Sequence, residues 1–412
     1  MRTSSGAVSF GRCLECSSLG AHWIGLRWGP RFMTSNKAPI VFVHSSNEMY
    51  GADRILLQVL ETLPEAERRV AVVWLPDDVS SATFRLDAEL ALRGIKFEIR
   101  RLPILRRRYL APRYLPRTLS ALAQSARDLR RIAPQAVYLT TSASLAIGIV
   151  ARLLGVKRVV LHCQELWRGR EAYLLGMLAI GTTHCLCISE ATQLNLRGPV
   201  KNRARVMLNA VSDCDRPLAP PLPTGSKLTF LIASRWNSWK GHGTLLSAWD
   251  AGAPLGKLII AGGPPEVGQA VDVPGLVAEM RNNRTVIVKG EVRDISFLID
   301  ESDFVVIPSD EPEPFGLVAI EAFARGRAVI ASDAGGLTEI VDGGKTGELF
   351  PLRDAVALRS VMQGLGRKRA AIMGAAARES YLRTYSIEAF NVRFRDFWNE
   401  ILCPTAEMPN GK

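Results

Sequence analysis

The sequence predicts an α/β chain of two domains, each a doubly wound parallel sheet. Three observations carry this. Short apolar runs of strand length alternate with helical stretches through most of the chain, which is the pattern of a parallel sheet covered by helices. A length of 412 residues corresponds to about two domains, each large enough for its own core. A proline-rich stretch, Arg216–Ser226, separates the two sets of runs and is semi-rigid. The expected domains are residues 38–215 and 227–383, with the linker 216–226 between them.

Residues 1–37 contain Gly, Ser, Arg and Trp without a period and without the continuous apolar core of a signal peptide. Their arginine-rich, acid-poor make-up loosely imitates a transit peptide. The expectation is a disordered or non-native extension, with the natural chain beginning at Met33. Cys13-Leu-Glu-Cys16 has no second pair and is not read as a metal site.

Ile40–Val43 is the first strand. The loop from His44 to Asp53 leads to a helix carrying Ile55, Leu56, Val59 and Leu60, with Gly51 at a turn before it. Val70–Leu75 and Ile95–Ile99 are further strands, separated by a helical stretch over Ala82–Leu92. Arg101 to Arg117 holds six arginines and no acid, interleaved with Leu105, Tyr109, Leu110, Tyr114 and Leu115. Such a segment is either a solvated basic loop or a contact for an anionic membrane surface. Ser120–Ile132 is helical and Ala136–Leu139 is a strand. Arg158–His162 is a strand ending in a histidine, followed by Cys163, Gln164 and Glu165. Cys185–Ile188 and Arg205–Leu208 complete the first set. Asp213-Cys-Asp215 has the D-x-D spacing of a metal site, but it stands at a domain end and reads as linker.

Leu228–Ala233 opens the second sheet and is followed by Ser234, Arg235 and, five positions later, Lys240. Lys257–Ala261 and Thr285–Gly290 are strands, and Arg293–Ile299 a short helix. Asp303–Ile307 is a buried strand. Pro308, Pro312 and Pro314 make the next residues a loop, and Phe315–Ala324 reads as a helix ended by Gly326. Two carboxylates, Glu313 and Glu321, bracket this turn. The helix N-terminus beside Gly316 and Leu317 offers free N–H groups and a positive dipole end to an anion. A carboxylate accepts hydrogen bonds from a vicinal diol, so the arrangement suits a sugar nucleotide. Taken singly, each glutamate reads equally well as a surface acid. After the strand Ala328–Ala331, Gly335 and Gly336 again permit close approach, and Glu339 reads as a local helix-capping acid. Beyond Asp354 the chain is helical, with Ser386 capping a last helix whose apolar face is Phe390, Phe394, Phe397 and Trp398.

Composition bounds the function. The chain is 47% hydrophobic and 22% charged, which excludes a disordered chain. Its longest apolar stretches, Ala143–Val156 and Tyr173–Ile188, are too short and too interrupted to span a bilayer. The formal charge of +12 favours anionic partners. No zinc-finger spacing or RNA-binding aromatic motif is present, so nucleic acid is not expected as a partner. Seven cysteines without a disulfide pattern fit a reducing, cytoplasmic location.

The segment Glu313-Pro-Phe-Gly-Leu-Val-Ala-Ile-Glu321 resembles the signature of retaining GT-B glycosyltransferases, the large group 1 family of polysaccharide and glycolipid assembly. Ala328-Val-Ile-Ala-Ser-Asp-Ala-Gly-Gly336, Glu339-Ile-Val and Gly347-Glu-Leu-Phe350 continue the likeness, which is strong from Leu228 to Asp354 and weaker from Ile40 to Val211. The resemblance implies two Rossmann-like domains facing a cleft, with the last helix, 384–403, crossing back to the first. It implies a UDP- or GDP-sugar donor, no cofactor, no metal, and a hydroxyl acceptor, lipid-linked in some members. It assigns donor ribose to Glu321, donor sugar to Glu313, and the departing diphosphate to Arg235 and Lys240. Gly316, Leu317, Gly335 and Gly336 border the donor. His162 would face the donor sugar, and Gly51, Asp53 and Glu165 the acceptor. Three other readings stay open: an epimerase of the same fold, a non-catalytic sugar-nucleotide-binding scaffold, and a dinucleotide oxidoreductase. No G-x-G-x-x-G follows a strand, which counts against the last.

Overall fold

A computed structural model describes residues 37–77, 85–106, 112–213, 215–220, 227–265 and 269–402. The expectations for residues 1–36, for Arg107, Arg108, Tyr109 and Leu110, and for linker residues 221–226 lie outside the described residues. The first sheet contains β1 (Ile40–Val43), β2 (Ala71–Pro76), β3 (Lys96–Arg100), β4 (Ala136–Leu139), β5 (Val159–Cys163), β6 (His184–Cys187) and β7 (Ala204–Val206). All pairs are parallel, in the order β3-β2-β1-β4-β5-β6-β7. The second contains β8 (Thr229–Ala233), β9 (Lys257–Ala261), β10 (Val286–Gly290), β11 (Phe304–Ile307), β12 (Ala328–Ser332) and β13 (Gly347–Phe350). It too is parallel throughout, in the order β10-β9-β8-β11-β12-β13.

The central strands are apolar along their length because helices cover both faces. In β1, Ile40 and Phe42 belong to one core and Val41 and Val43 to the core on the opposite face. In both sheets the strand order reverses beside the first strand, between β1 and β4 and between β8 and β11. Ligands of open α/β sheets bind outside the carboxyl ends of strands at such a switch point.

The helix after β11 runs over Leu317–Ala324, two residues later than the sequence pattern implies. Gly316, at φ +123°, turns the chain there, which leaves Phe315 free to enter the core beside Tyr385. The last helix, Ile387–Leu402, buries Phe390, Phe394, Phe397, Trp398 and Ile401 in the core of the first domain with Ile40, Phe42 and Leu56. Ser386 caps it by accepting from the Ala389 N–H. The outgoing and returning segments meet where Val211 N–H donates to the Tyr385 carbonyl at 3.2 Å and Tyr381 donates to the Val211 carbonyl at 3.0 Å. Residues 215–220 lie along the second domain, where Arg325 donates to the carbonyls of Arg216 and Pro217. No helix among the described residues is long and apolar enough to cross a membrane.

Candidate active site in the interdomain cleft

A cavity of about 980 Å³ lies between the carboxyl ends of the two sheets. The loop after β11 forms its floor. Glu313 is 5% exposed, and its Oε1 accepts from Lys240 Nζ at 2.6 Å and from Ser309 Oγ at 2.5 Å. Lys240 ends the turn after β8 and also lies over the Trp239 ring, 4.1 Å from its centroid. Two glycines make this meeting sterically feasible. Gly241 has φ +71°, and a Cβ there would stand 1.7 Å from the Pro308 carbonyl oxygen. Gly335 has φ +65°, and a Cβ there would stand 2.2 Å from the Glu313 carbonyl oxygen. Gly336 N–H donates to that same carbonyl at 2.8 Å, fixing the loop after β12 against the glutamate. Gly316, Leu317 and Glu321 line the cavity, so the positive end of the helix Leu317–Ala324 borders it.

The first domain reaches into this wall. Arg54 Nη1 lies 2.5 Å from Glu321 Oε1, and this carboxylate is the chief cause holding the Arg54 guanidinium above its ordinary pKa. Arg235 lies over the Tyr50 ring, 4.1 Å from its centroid. Ser189 Oγ donates to the Pro314 carbonyl at 2.6 Å, and Arg168 pairs with Glu311 at 2.5 Å. Glu339 is not a cap of its own helix. Its carboxylate accepts from Glu190 N–H at 2.8 Å and Ala191 N–H at 2.7 Å, so it caps a helix of the opposite domain. Burial raises its pKa, and those two donors oppose the rise.

On the first-domain side, Gly51, Asp53 and Glu165 line the cavity. Gly51 opens a helix that abuts the second domain, where an added Cβ would meet Leu317 Cδ1 at 2.9 Å. Asp53 is 2% exposed and engaged by His44 Nε2 at 2.9 Å, Ser46 Oγ at 2.8 Å and Tyr50 N–H at 3.1 Å. It therefore shapes the loop before its helix. Glu165 Oε2 accepts from Ser142 Oγ at 2.9 Å and Gln164 N–H at 3.2 Å, while burial raises its pKa.

His162 stands elsewhere. It is 1% exposed, is absent from the cavity wall and shares a 3.0 Å hydrogen bond between its Nδ1 and the Tyr138 hydroxyl. Strand alternation puts its side chain on the same face as Val160, toward the core that the last helix covers. Gln164, two residues on, emerges into the cavity instead. Arg54, Asn209 and Ser309 also line the cavity, although the sequence does not single them out for it. Of these, only Ser309 carried a local signal, its place in the proline-punctuated loop.

Burial lowers the His162 pKa from 6.5 to about 4, and burial together with Lys240 does the same for His242. An unfolded histidine takes its proton near 6.5, so unfolding binds protons between about pH 6.5 and about 4. Stability therefore falls as pH drops through that window, by up to ~1.4 kcal/mol per pH unit for each histidine. Melting temperature followed across the window should fall less steeply in His162→Gln than in the wild type. Equal slopes would mean that His162 takes up its proton over the same pH range in the folded chain as in the unfolded one.

A family model described as glycosyl transferases group 1 matches residues 227–366, the segment that contains Arg235, Lys240, Glu313 and Glu321. Among curated proteins, the chain is 31% identical over 165 residues to alpha-maltose-1-phosphate synthase of Mycolicibacterium smegmatis, covering 36% of this chain and 41% of that protein. It is 30% identical over 210 residues to glycogen synthase of Mycobacterium tuberculosis, covering 49% of this chain and 48% of that protein. The matched stretch thus spans less than half the length of either relative. Among solved structures, Anabaena HepE in complex with UDP-glucose superposes with a TM-score of 0.73 at 20% identity, covering 88% of this chain and 100% of that one. At that identity the likeness is one of fold.

Proposed function

We propose that this chain, which carries a group 1 glycosyl transferase domain at residues 227–366 within a two-domain GT-B fold, moves a sugar from a nucleoside-diphosphate sugar to a hydroxyl acceptor with retention of anomeric configuration. One observation carries the reading. Arg235 and Lys240 from the turn after β8, Glu313 from the loop after β11 and Glu321 from the helix that follows it line a single cavity at that sheet's switch point.

Cleaving the donor breaks the bond between the anomeric carbon and a phosphate oxygen, and the electron pair leaves with the diphosphate. Lys240, Arg235 and the positive end of the helix Leu317–Ala324 meet that charge with fixed partners. Glu321 takes the ribose hydroxyls, exchanging Arg54 for them, and Glu313 orients the sugar while holding Lys240. The acceptor hydroxyl approaches from the first domain near Gly51, Gln164 and Glu165. It attacks on the face from which the diphosphate departs, its proton passes to the leaving phosphate oxygen, and configuration is kept. His162 has no part in these steps. Fixed cations meet the leaving charge, so transfer is expected to persist in EDTA.

HepE was solved with UDP-glucose, which makes UDP-sugars the first donors to test here, with GDP-sugars next. An acceptor borne on a lipid in bacterial polysaccharide or glycolipid assembly would place the reaction at the cytoplasmic membrane face. In that setting the basic segment Arg101–Arg117 is one place of contact, although Arg101 and Arg117 both reach Asp77.

A panel of UDP-, GDP- and ADP-sugars read by thermal shift, then by transfer, tests the assignment. One donor should raise the melting temperature of the wild type and fail to do so in Glu321→Ala. Stabilisation by none would remove the reading, and conversion of the donor sugar without acceptor would replace it with an epimerase.

A further inference from the structure

The helix Gly169–Leu178 and the turn Ala179–Gly181 leave a large apolar stripe in solvent. Tyr173 is 66% exposed, Leu174 47%, Met177 66% and Ile180 63%. Positions 173, 177 and 180 follow the helical repeat, so they form one face. The loop Leu194–Arg203 packs directly beside them. Gly176 and Gly198 let its backbone close on the helix, and Arg203 donates to the Thr182 carbonyl at 2.5 Å. Leu194, at the end of the helix Glu190–Leu194 that leads into this loop, is also 64% exposed. Arg170, Lys201 and Arg203 are exposed on this helix and loop, and Glu171 is their one exposed acid.

We infer that this face docks on an anionic lipid membrane. Tyrosine and long aliphatic side chains ringed by Arg and Lys match the acyl and headgroup layers of such a surface. The charge decides against a second copy of the chain. A two-fold contact through this patch would press two faces of the same net positive charge together, Arg170, Lys201 and Arg203 outnumbering Glu171 on each, whereas anionic headgroups neutralise that charge. The position fits a purpose. Arg168, one residue before the helix, reaches Glu311 and the Pro312 carbonyl of the second domain, so the helix that carries the patch starts where the two domains meet. A hydroxyl acceptor held at a bilayer would then enter directly from it. The patch is separate in sequence from Arg101–Arg117, and its membrane binding does not depend on the glycosyl-transfer reading.

The test is co-sedimentation of the full chain with vesicles of phosphatidylcholine alone and of phosphatidylcholine mixed with phosphatidylglycerol. Binding should need the anionic lipid. The triple variant Tyr173→Ser, Met177→Ser, Ile180→Ser should lose at least about tenfold in vesicle affinity. Arg170→Glu and Lys201→Glu should each lose about fivefold or more. Circular dichroism and melting temperature should hold in all of them, because these side chains are exposed. Transfer to a soluble acceptor should be unchanged in the triple variant, which separates failure of docking from failure of the enzymatic reading. The inference is overturned by absence of binding, by equal binding to neutral vesicles, or by full binding of the triple variant. A dimer in light scattering that the triple variant dissolves would also overturn it, assigning the patch to a second copy.

Discussion

Lys240→Ala should lower turnover by roughly 10²–10³-fold, the cost typical of removing one preorganised charge-stabilising donor from an active site. The size follows from how the ammonium is held. Its Nζ is fixed by Glu313 at 2.6 Å and by the Trp239 ring at 4.1 Å, and Gly241 behind it admits no side chain. A cation already in place meets the departing diphosphate without reorganising. Solvent would have to reorganise to do the same, so the lost interaction belongs to the transition state. Both kcat and kcat/KM should therefore fall together. Removal also leaves Glu313, 5% exposed, with Ser309 as its remaining side-chain donor among the described residues, at a cost of about 1–3 kcal/mol in stability. Initial rates belong below the melting transition, with circular dichroism confirming the fold. Turnover near the wild-type value in a folded variant would strip Lys240 of its role.

The strand pattern made most of the fold readable, because a strand covered on both faces must be apolar throughout and its ends are marked by Gly and Pro. The loop after β11 was readable for the same reason, with three prolines and two glutamates in one short stretch. Its meeting with Lys240 spans 73 positions of sequence, yet it follows once the sheet order places β8 beside β11. His162 lies off the cavity wall because its environment is made by the last helix, far away in sequence. A histidine at a strand end gives no local sign of which face that helix covers. Glu339 failed in the same way. Its partners are the N–H groups of Glu190 and Ala191, and only closure of the domains brings them within reach. Arg54 likewise reads as an ordinary polar position of an amphipathic helix until Glu321 arrives from the other domain.

The second large effect concerns that last helix. Phe394→Ala should destabilise the chain by about 3–5 kcal/mol, as truncation of a fully buried aromatic does. Phe394 is 0% exposed. It stacks between Phe390, with centroids 5.6 Å apart, and Trp398 at 5.7 Å, and meets the edge of Tyr138 at 6.4 Å. A cavity there removes contacts on three sides at once, and the surrounding strands β1 and β4 are too constrained to collapse into it. The effect should reach function, because the helix starts just after Tyr385 and Ser386, where the chain returns to the first domain beside Val211. A loosened helix weakens domain closure while leaving the second-domain segments that carry Lys240, Glu313 and Glu321 in place. Donor binding should thus survive at temperatures where transfer is lost. Val392, on the same helix but 62% exposed, is the control, and Val392→Ala should stay within about 0.5 kcal/mol of the wild type. Urea denaturation of the two variants decides the matter. If both shift alike, the helix is held by something other than this aromatic stack. If only Phe394→Ala shifts, and transfer fails before donor binding does, the last helix joins stability to the closed state in which the two walls of the site meet.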